Sequence, residues 1–157
     1  MNNTYYLRSI QEDDIYDIYQ LSNADYVRKH SINPQKIDWE EHVRWFEKVI
    51  KSSNHIIYVI SDDNNNFLGQ IRYKLDNDTA IVSISLSKDL KGRGLSIEFL
   101  EESIKRLKGE RKEVQYILAV VSDINTASKK LFENANFSLQ KQNDKMLEYI
   151  LPLRRGS

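Results

Sequence analysis

The chain has 157 residues, with 23 Lys and Arg against 23 Asp and Glu and a formal net charge of zero. No global field therefore draws it to nucleic acid or to an anionic membrane, and any anion site has to be local. It has no cysteine, which excludes disulfides, thiolate metal sites and a cysteine nucleophile.

The polar start MNNTYYLRS lacks the apolar segment of a secretory signal, and no apolar run approaches the ~18 residues of a membrane span. A single cytoplasmic domain over residues 1–155 is expected, with Gly156 and Ser157 read as a cloning remnant. Thr4 to Ile10 reads as a short strand. Asp13 and Asp14 then favour the first turn of a helix with the apolar stripe Ile15, Ile18, Tyr19 and Leu21, broken at Ser22, Asn23 and Asp25. A second helix starts at an Asp38 cap, runs through Val43, Trp45, Phe46, Val49 and Ile50, and is kept from reaching further back by Pro34.

From His55 the period changes from helical to extended. HIIYVIS and FLGQIRYKL are joined by the turn formers DDNNN, and Asp76-Asn77-Asp78 leads into TAIVSISLS, so three antiparallel strands run in sequence. A glycine-bearing loop opens a helix reaching about Lys108, followed by the strand VQYILAVV, a helix from Asn125 to Asn134, and closing strands at FSLQKQ and KMLEYIL. This order predicts one α/β (α+β) domain with a mixed, mostly antiparallel sheet flanked by helices.

Two of the five glycines, Gly92 and Gly94, stand between a strand and a helix. A right-handed crossover leaves that helix N-terminus at the carboxyl end of the strand. There glycines allow close approach, and the free N–H groups of about Arg93 to Ile97 converge with the helix dipole on one anion, flanked by Lys91 and Arg93. A phosphate fits this description. The stretch is neither a Walker loop, lacking GKS or GKT, nor a dinucleotide fingerprint, lacking the third glycine.

Lys91-Gly92-Arg93-Gly94-Leu95-Ser96 resembles the acyl-CoA signature Q/R-x-x-G-x-G/A of the GNAT acetyltransferase superfamily. Lysine stands where arginine or glutamine is usual, and serine where glycine or alanine is usual. The stretch from Asn125 through Ser128, Leu131, Phe132 and Glu133 to Asn136 and Phe137 is similar to the family's N-x-x-S-x-x-L-[YF]-E-x-x-G-F. Asn136 takes the glycine place, where a left-handed turn is expected.

The resemblance implies a single GNAT-like domain whose fourth and fifth strands splay, with acetyl-CoA as co-substrate and no metal. The pantetheine arm would pair with backbone groups of Ile84, Leu86 and Ser87. The diphosphate would rest on Lys91, Gly92, Arg93, Gly94, Leu95 and Ser96, with Asn125, Ser128 and Phe132 completing the cofactor contacts. Residues 79–87 contain no carboxylate where many members place a glutamate base. Ser85, with Ser83, is left to order a water, and His42 to relay a proton near neutral pH. The tyrosine that often protonates the departing thiolate is replaced by Phe132, a loss that a thiol of pKa near ~8.5 tolerates.

Residues 27–33 and 39–46, with Gly69-Gln70-Ile71-Arg72, resemble a subgroup that acetylates nucleotide-linked amino sugars in nonulosonic-acid pathways. That resemblance assigns Arg28 and Arg72 to a diphosphate, and Ser31 and the Trp45 ring to the acceptor. Plainer roles stay open: surface ion pairs for both arginines, core packing for Trp45 and Phe46, and a capping or core hydrogen bond for His42. His30 and His55 do not make a metal set with His42. The partner expected is a small-molecule amine. A peptide acceptor, a non-catalytic acyl-CoA-binding module and a homodimer remain open.

Overall fold

The computed structural model describes residues 4–153, so Gly156 and Ser157 lie outside the described residues. Alternation of apolar and small or polar side chains gives β1 (Tyr5–Ser9), β2 (His55–Asp62), β3 (Phe67–Asp76), β4 (Thr79–Leu86), β5 (Tyr116–Ser122), β6 (Ser138–Asn143) and β7 (Met146–Pro152). Between them lie α1 (Ile15–Ser22), α2 (Asp25–Arg28), α3 (Trp39–Lys51), α4 (Ser96–Glu110) and α5 (Thr126–Asn134). Among the described residues the strands form one seven-stranded sheet in the order β1-β2-β3-β4-β5-β7-β6, in which only the β4/β5 pair is parallel.

The expected turns are present. Asn65 in the β2–β3 connection and Asn77 in the β3–β4 connection both take φ of 58°, a left-handed conformation that asparagine tolerates. Gly69 is required for another reason: a Cβ there would lie 2.7 Å from the Ser85 carbonyl oxygen on the neighbouring strand. Asp38 caps α3 by accepting from the Glu41 N–H at 2.8 Å, as its place ahead of the apolar run predicts.

The N-terminal region departs from the expectation. Asp13 and Asp14 belong to a single 3₁₀ turn, Glu12–Asp14, ahead of α1. Asp14 is buried there, receiving both Nη1 and Nη2 of Arg8 at 2.8 Å and the Gln11 N–H at 2.7 Å. The carboxylate serves a bidentate ion pair more than a helix dipole. The break at Ser22 and Asn23 is real, but the chain turns helical again at Asp25, and backbone bonds continue through His30 and Ser31.

Each face of the sheet carries its own layer. One packs Tyr58, Ile60, Ile71, Tyr73, Val82, Ile117 and Ala119 against Phe99, Leu100 and Leu107 of α4 and Phe132 of α5. Tyr73 OH and Ser103 Oγ lie 2.7 Å apart inside it, and Ser103 donates to the Leu100 carbonyl, so the buried hydroxyls are satisfied. On the opposite face Ile57 and Val59 of β2 are covered by Ile18 and Leu21 of α1 and Phe46 and Val49 of α3, all buried. Each such side chain contributes about 1.5–3 kcal/mol as an upper bound. Phe46 is thus a core residue. No helix among the described residues is long and apolar enough to cross a membrane.

The parallel pair is where the sheet opens. Thr79 to Val82 pair with Tyr116 to Ala119, yet β4 continues to Leu86 and β5 to Ser122. Beyond Val82 and Ala119 the strands part, as the family resemblance implies.

Candidate active site

A cleft of about 380 Å³ occupies this opening. Its floor is residues 82–86 of β4 with 120–122 of β5, and its rims are Lys91, Gly92 and Ser96 on one side and Asn125, Ser128, Leu131 and Phe132 on the other. Tyr26, Val27, His30 and Ser31 close it from α2 and the turn that follows. Neither aspartate nor glutamate lines it among the described residues.

The backbone of β4 is set for a strand-like partner. Asp78 O accepts from Tyr116 N–H on the β5 side, while Ser87 N–H is given to Leu68 O of β3. Because the direction alternates along a strand, the backbone groups of Ile84 and the Leu86 N–H point into the gap where β5 has moved away. The Leu86 carbonyl is taken by the Tyr26 hydroxyl at 2.7 Å, and Ser87 Oγ is buried without a partner among the described residues.

The glycine loop has the conformation that its composition predicts. Gly92 and Gly94 take φ of 81° and 73°, and a Cβ built on either meets no atom within 4 Å. The space in front of both is open. No side chain caps α4 at Leu95, so its first N–H groups face the same space. Lys91 places Nζ 4.3 Å from the centre of the Tyr26 ring, at the cleft mouth. Arg93 behaves otherwise: its N–H goes to Leu90 O, and it lines a neighbouring cavity beside Asp62, Asp63 and Asp89.

Asn125 caps α5, its Oδ1 accepting from the Ser128 N–H at 3.1 Å. That helix ends with Phe137 N–H on Phe132 O, Asn136 N–H on Glu133 O, and Asn136 at φ 70°. This is the closing turn that glycine usually serves. The Phe132 ring, edge-on to Phe137 at 5.0 Å, is buried at the base of the cleft.

A profile for the acetyltransferase (GNAT) domain matches residues 5–138. The chain belongs to the GNAT acetyltransferase family. No curated protein matches it in sequence. Solved structures with the same fold include a domain from Methanocaldococcus jannaschii DSM 2661, at 21% identity and a TM-score of 0.84, covering 97% of this chain and 100% of that one. Spermidine N-acetyltransferase from Vibrio cholerae in complex with CoA and spermine matches at 15% identity and a TM-score of 0.82, covering 94% and 95%. A candidate phosphinothricin N-acetyltransferase matches at 20% and 0.77, covering 95% and 97%.

Within this GNAT domain the residues singled out from sequence divide. Ser31, Ile84, Ser85, Leu86, Lys91, Gly92, Ser96, Asn125, Ser128 and Phe132 line one cleft. His42, expected as a proton relay, does not. It is buried among Tyr19, Trp39, Trp45 and Phe46, and donates Nε2–H to the Ile15 carbonyl at 2.8 Å. Burial foremost holds its pKa below the usual 6.5.

Arg28, expected on a diphosphate, is spent on the protein itself. Nε donates to Ser22 O, Nη1 to Asn33 O and Gln35 O, and Nη2 to Ser31 Oγ, at 2.8–3.0 Å. It fastens the α2 segment over the cleft. Arg72 is partly buried, stacks at 5.0 Å over Trp45, and has neither a carboxylate nor a hydrogen-bond partner among the described residues. Burial and the charge of Arg28 bring its pKa down to about 10, still a cation at neutral pH. Beside it on the same face, Gln70 is 1% exposed with both amide atoms unpartnered.

Tyr26 has no place in the sequence reading, and His30 enters it only within the acceptor stretch 27–33 and as a rejected metal ligand. The signal was their spacing: residues 26, 27, 30 and 31 fall on one side of α2 and the turn that continues it, visible only once that segment is taken as helical.

Proposed function

We propose that this protein transfers an acetyl group from acetyl-CoA to the primary amine of a small anionic molecule, with a nucleotide-linked amino sugar as the favoured acceptor. The observation that carries the cofactor is the parting of β4 and β5 at Val82 and Ala119 directly beside the open, left-handed Gly92–Gly94 loop. An extended arm has unpaired strand backbone at Ile84 to lie along, and a diphosphate has helix N–H groups and Lys91 to meet. Bound there, acetyl-CoA supplies an acyl group activated as a thioester.

The protein's own part is positioning and proton management. Ile84 and Leu86 N–H fix the arm, Asn125 and Ser128 border it, and Phe132 closes the base of the cleft to water. Ser83 and Ser85 face away from the apolar floor, on the side where an amine approaches. Phe132 has no proton to give, so the thiol's own acidity has to suffice.

Support for the acceptor's charge comes from Arg72, which pairs in register with Ser83 of the cleft floor. Unpaired among the described residues, Arg72 favours a phosphate or carboxylate on the acceptor, with the Trp45 ring face against it. Calorimetry with acetyl-CoA, followed by thiol release with a panel of amino sugars, nucleotide-linked amino sugars, polyamines and peptides, tests both parts. Turnover on anionic amines supports the reading. Turnover on spermidine alone would overturn the acceptor, and absence of CoA binding would overturn the function.

A further inference from the structure

Among the described residues, three side chains lining the cleft carry an ionisable group: Tyr26, His30 and Lys91. To take a proton from an amine, such a group needs a free lone pair. The Tyr26 hydroxyl is already donating to Leu86 O, and burial raises its pKa, so it stays a phenol. Lys91 lays its Nζ over the Tyr26 ring, a contact made by a cation, which has no lone pair to offer. Ser83 and Ser85 are poor bases. His30 is left.

Its surroundings differ from those of the other histidines. His42 is tied to the Ile15 carbonyl, and His55 Nδ1 lies 3.1 Å from Ser52 Oγ. His30 has no side-chain hydrogen bond among the described residues, and its Nδ1 is sealed from solvent without a partner. A nitrogen closed to solvent is closed to the cleft's contents as well, so Nε2, which no protein group holds among the described residues, is the ring nitrogen left to meet them.

We propose that His30 is the proton acceptor of the transfer, taking the proton of the acceptor's ammonium group above the Ser83–Ser85 stretch of β4. This rests on the acetyl-transfer reading of the cleft. Burial foremost, with the charges of Lys29 on its own turn and Lys91 on the glycine loop, holds the ring below its ordinary 6.5 and so neutral at pH 7. β4, β5 and α5 bring no charged side chain to the cleft lining. In the balanced step, one ammonium proton goes to His30. The neutral nitrogen then forms the C–N bond as the C–S bond breaks, with the bonding pair leaving on sulfur, and the excess proton on the new amide nitrogen goes to that sulfur. His30 afterwards returns its proton to water.

The test has two arms. Ring-labelled NMR follows the three histidines, assigned by single variants, as pH is varied and as CoA is added. His30 is expected to titrate below 6.5 and to shift on CoA addition, while His42 does not respond. Thiol release with the best amine of the panel is then measured against pH for wild type, His30→Ala and His30→Gln. Both variants should bind acetyl-CoA within about twofold of wild type and lose about 10²–10⁴-fold in kcat. Their pH profiles should lose the histidine limb and follow the amine's own ionisation. Retained kcat with an unchanged acid limb in variants that bind CoA overturns the role of His30 while leaving the acetyl-transfer reading intact. Failure of wild type to bind CoA overturns both.

Discussion

The Arg72 guanidinium lies 5.0 Å from the centre of the Trp45 ring, and no carboxylate among the described residues accompanies it. A partly buried cation is normally paired. If an anionic group of the acceptor is its partner, Arg72→Met should raise the acceptor's KM by about 10–100-fold, the value of a hydrogen-bonded charge. The KM for acetyl-CoA should stay within about twofold. Equal effects on both substrates would assign Arg72 a structural role instead.

Gly94 holds φ of 73° with open space where a Cβ would project. Gly94→Val meets no protein atom, so its effects are backbone strain of about 1–2 kcal/mol and a side chain standing where a phosphate would approach. CoA affinity should fall at least about tenfold by calorimetry, beyond what strain costs in thermal stability. Gly109 in α4, also open and without positive φ, gives the control: Gly109→Ala should stabilise by about 0.5–1 kcal/mol and leave CoA affinity unchanged.

Gln70 is a buried amide with neither atom satisfied, beside Arg72 and opposite Ser85 in register. Gln70→Leu removes the unmet polar atoms and should raise stability by about 1–3 kcal/mol. If the amide serves the acceptor, turnover should drop in the same variant. A stabilised enzyme with full activity would mean that Gln70 has no such role.

His42 is held neutral by burial, with its folded pKa below 6.5. The unfolded chain therefore binds more protons just below that pH, so this contribution is complete above about 6.5 and is lost as pH falls. Thermal melts between pH 7.5 and 5 should show declining stability, and His42→Gln, which can still donate to Ile15 O, should flatten the decline. His30 and His55 are shifted the same way, so part of the slope should survive. An identical slope in the variant would contradict the assignment.

Much of the architecture was legible because local rules and tertiary demands agree. The Asp38 cap, the asparagine turns and the left-handed Asn136 each follow from one residue's own preferences. The glycine loop was readable for the same reason, and together with the Asn125–Phe137 segment it carried the family resemblance. What the sequence hid depended on how irregular segments and separate helices come together. Arg28 looked like an anion ligand because nothing local reveals that the carbonyls of Ser22, Asn33 and Gln35 converge on it. His42 looked reactive because its partner, Ile15 O, sits on another helix. Tyr26 was passed over, and His30 was given no place in the cleft, because α2 is a single turn, too short for periodicity to register.

A crystal structure of the protein grown with CoA tests the account most directly. The account predicts the diphosphate against the N–H groups that open α4 beside Gly92 and Gly94, with the pantetheine arm running along Ile84 between β4 and β5. CoA bound elsewhere, or β4 and β5 closed upon each other beyond Val82, would contradict it.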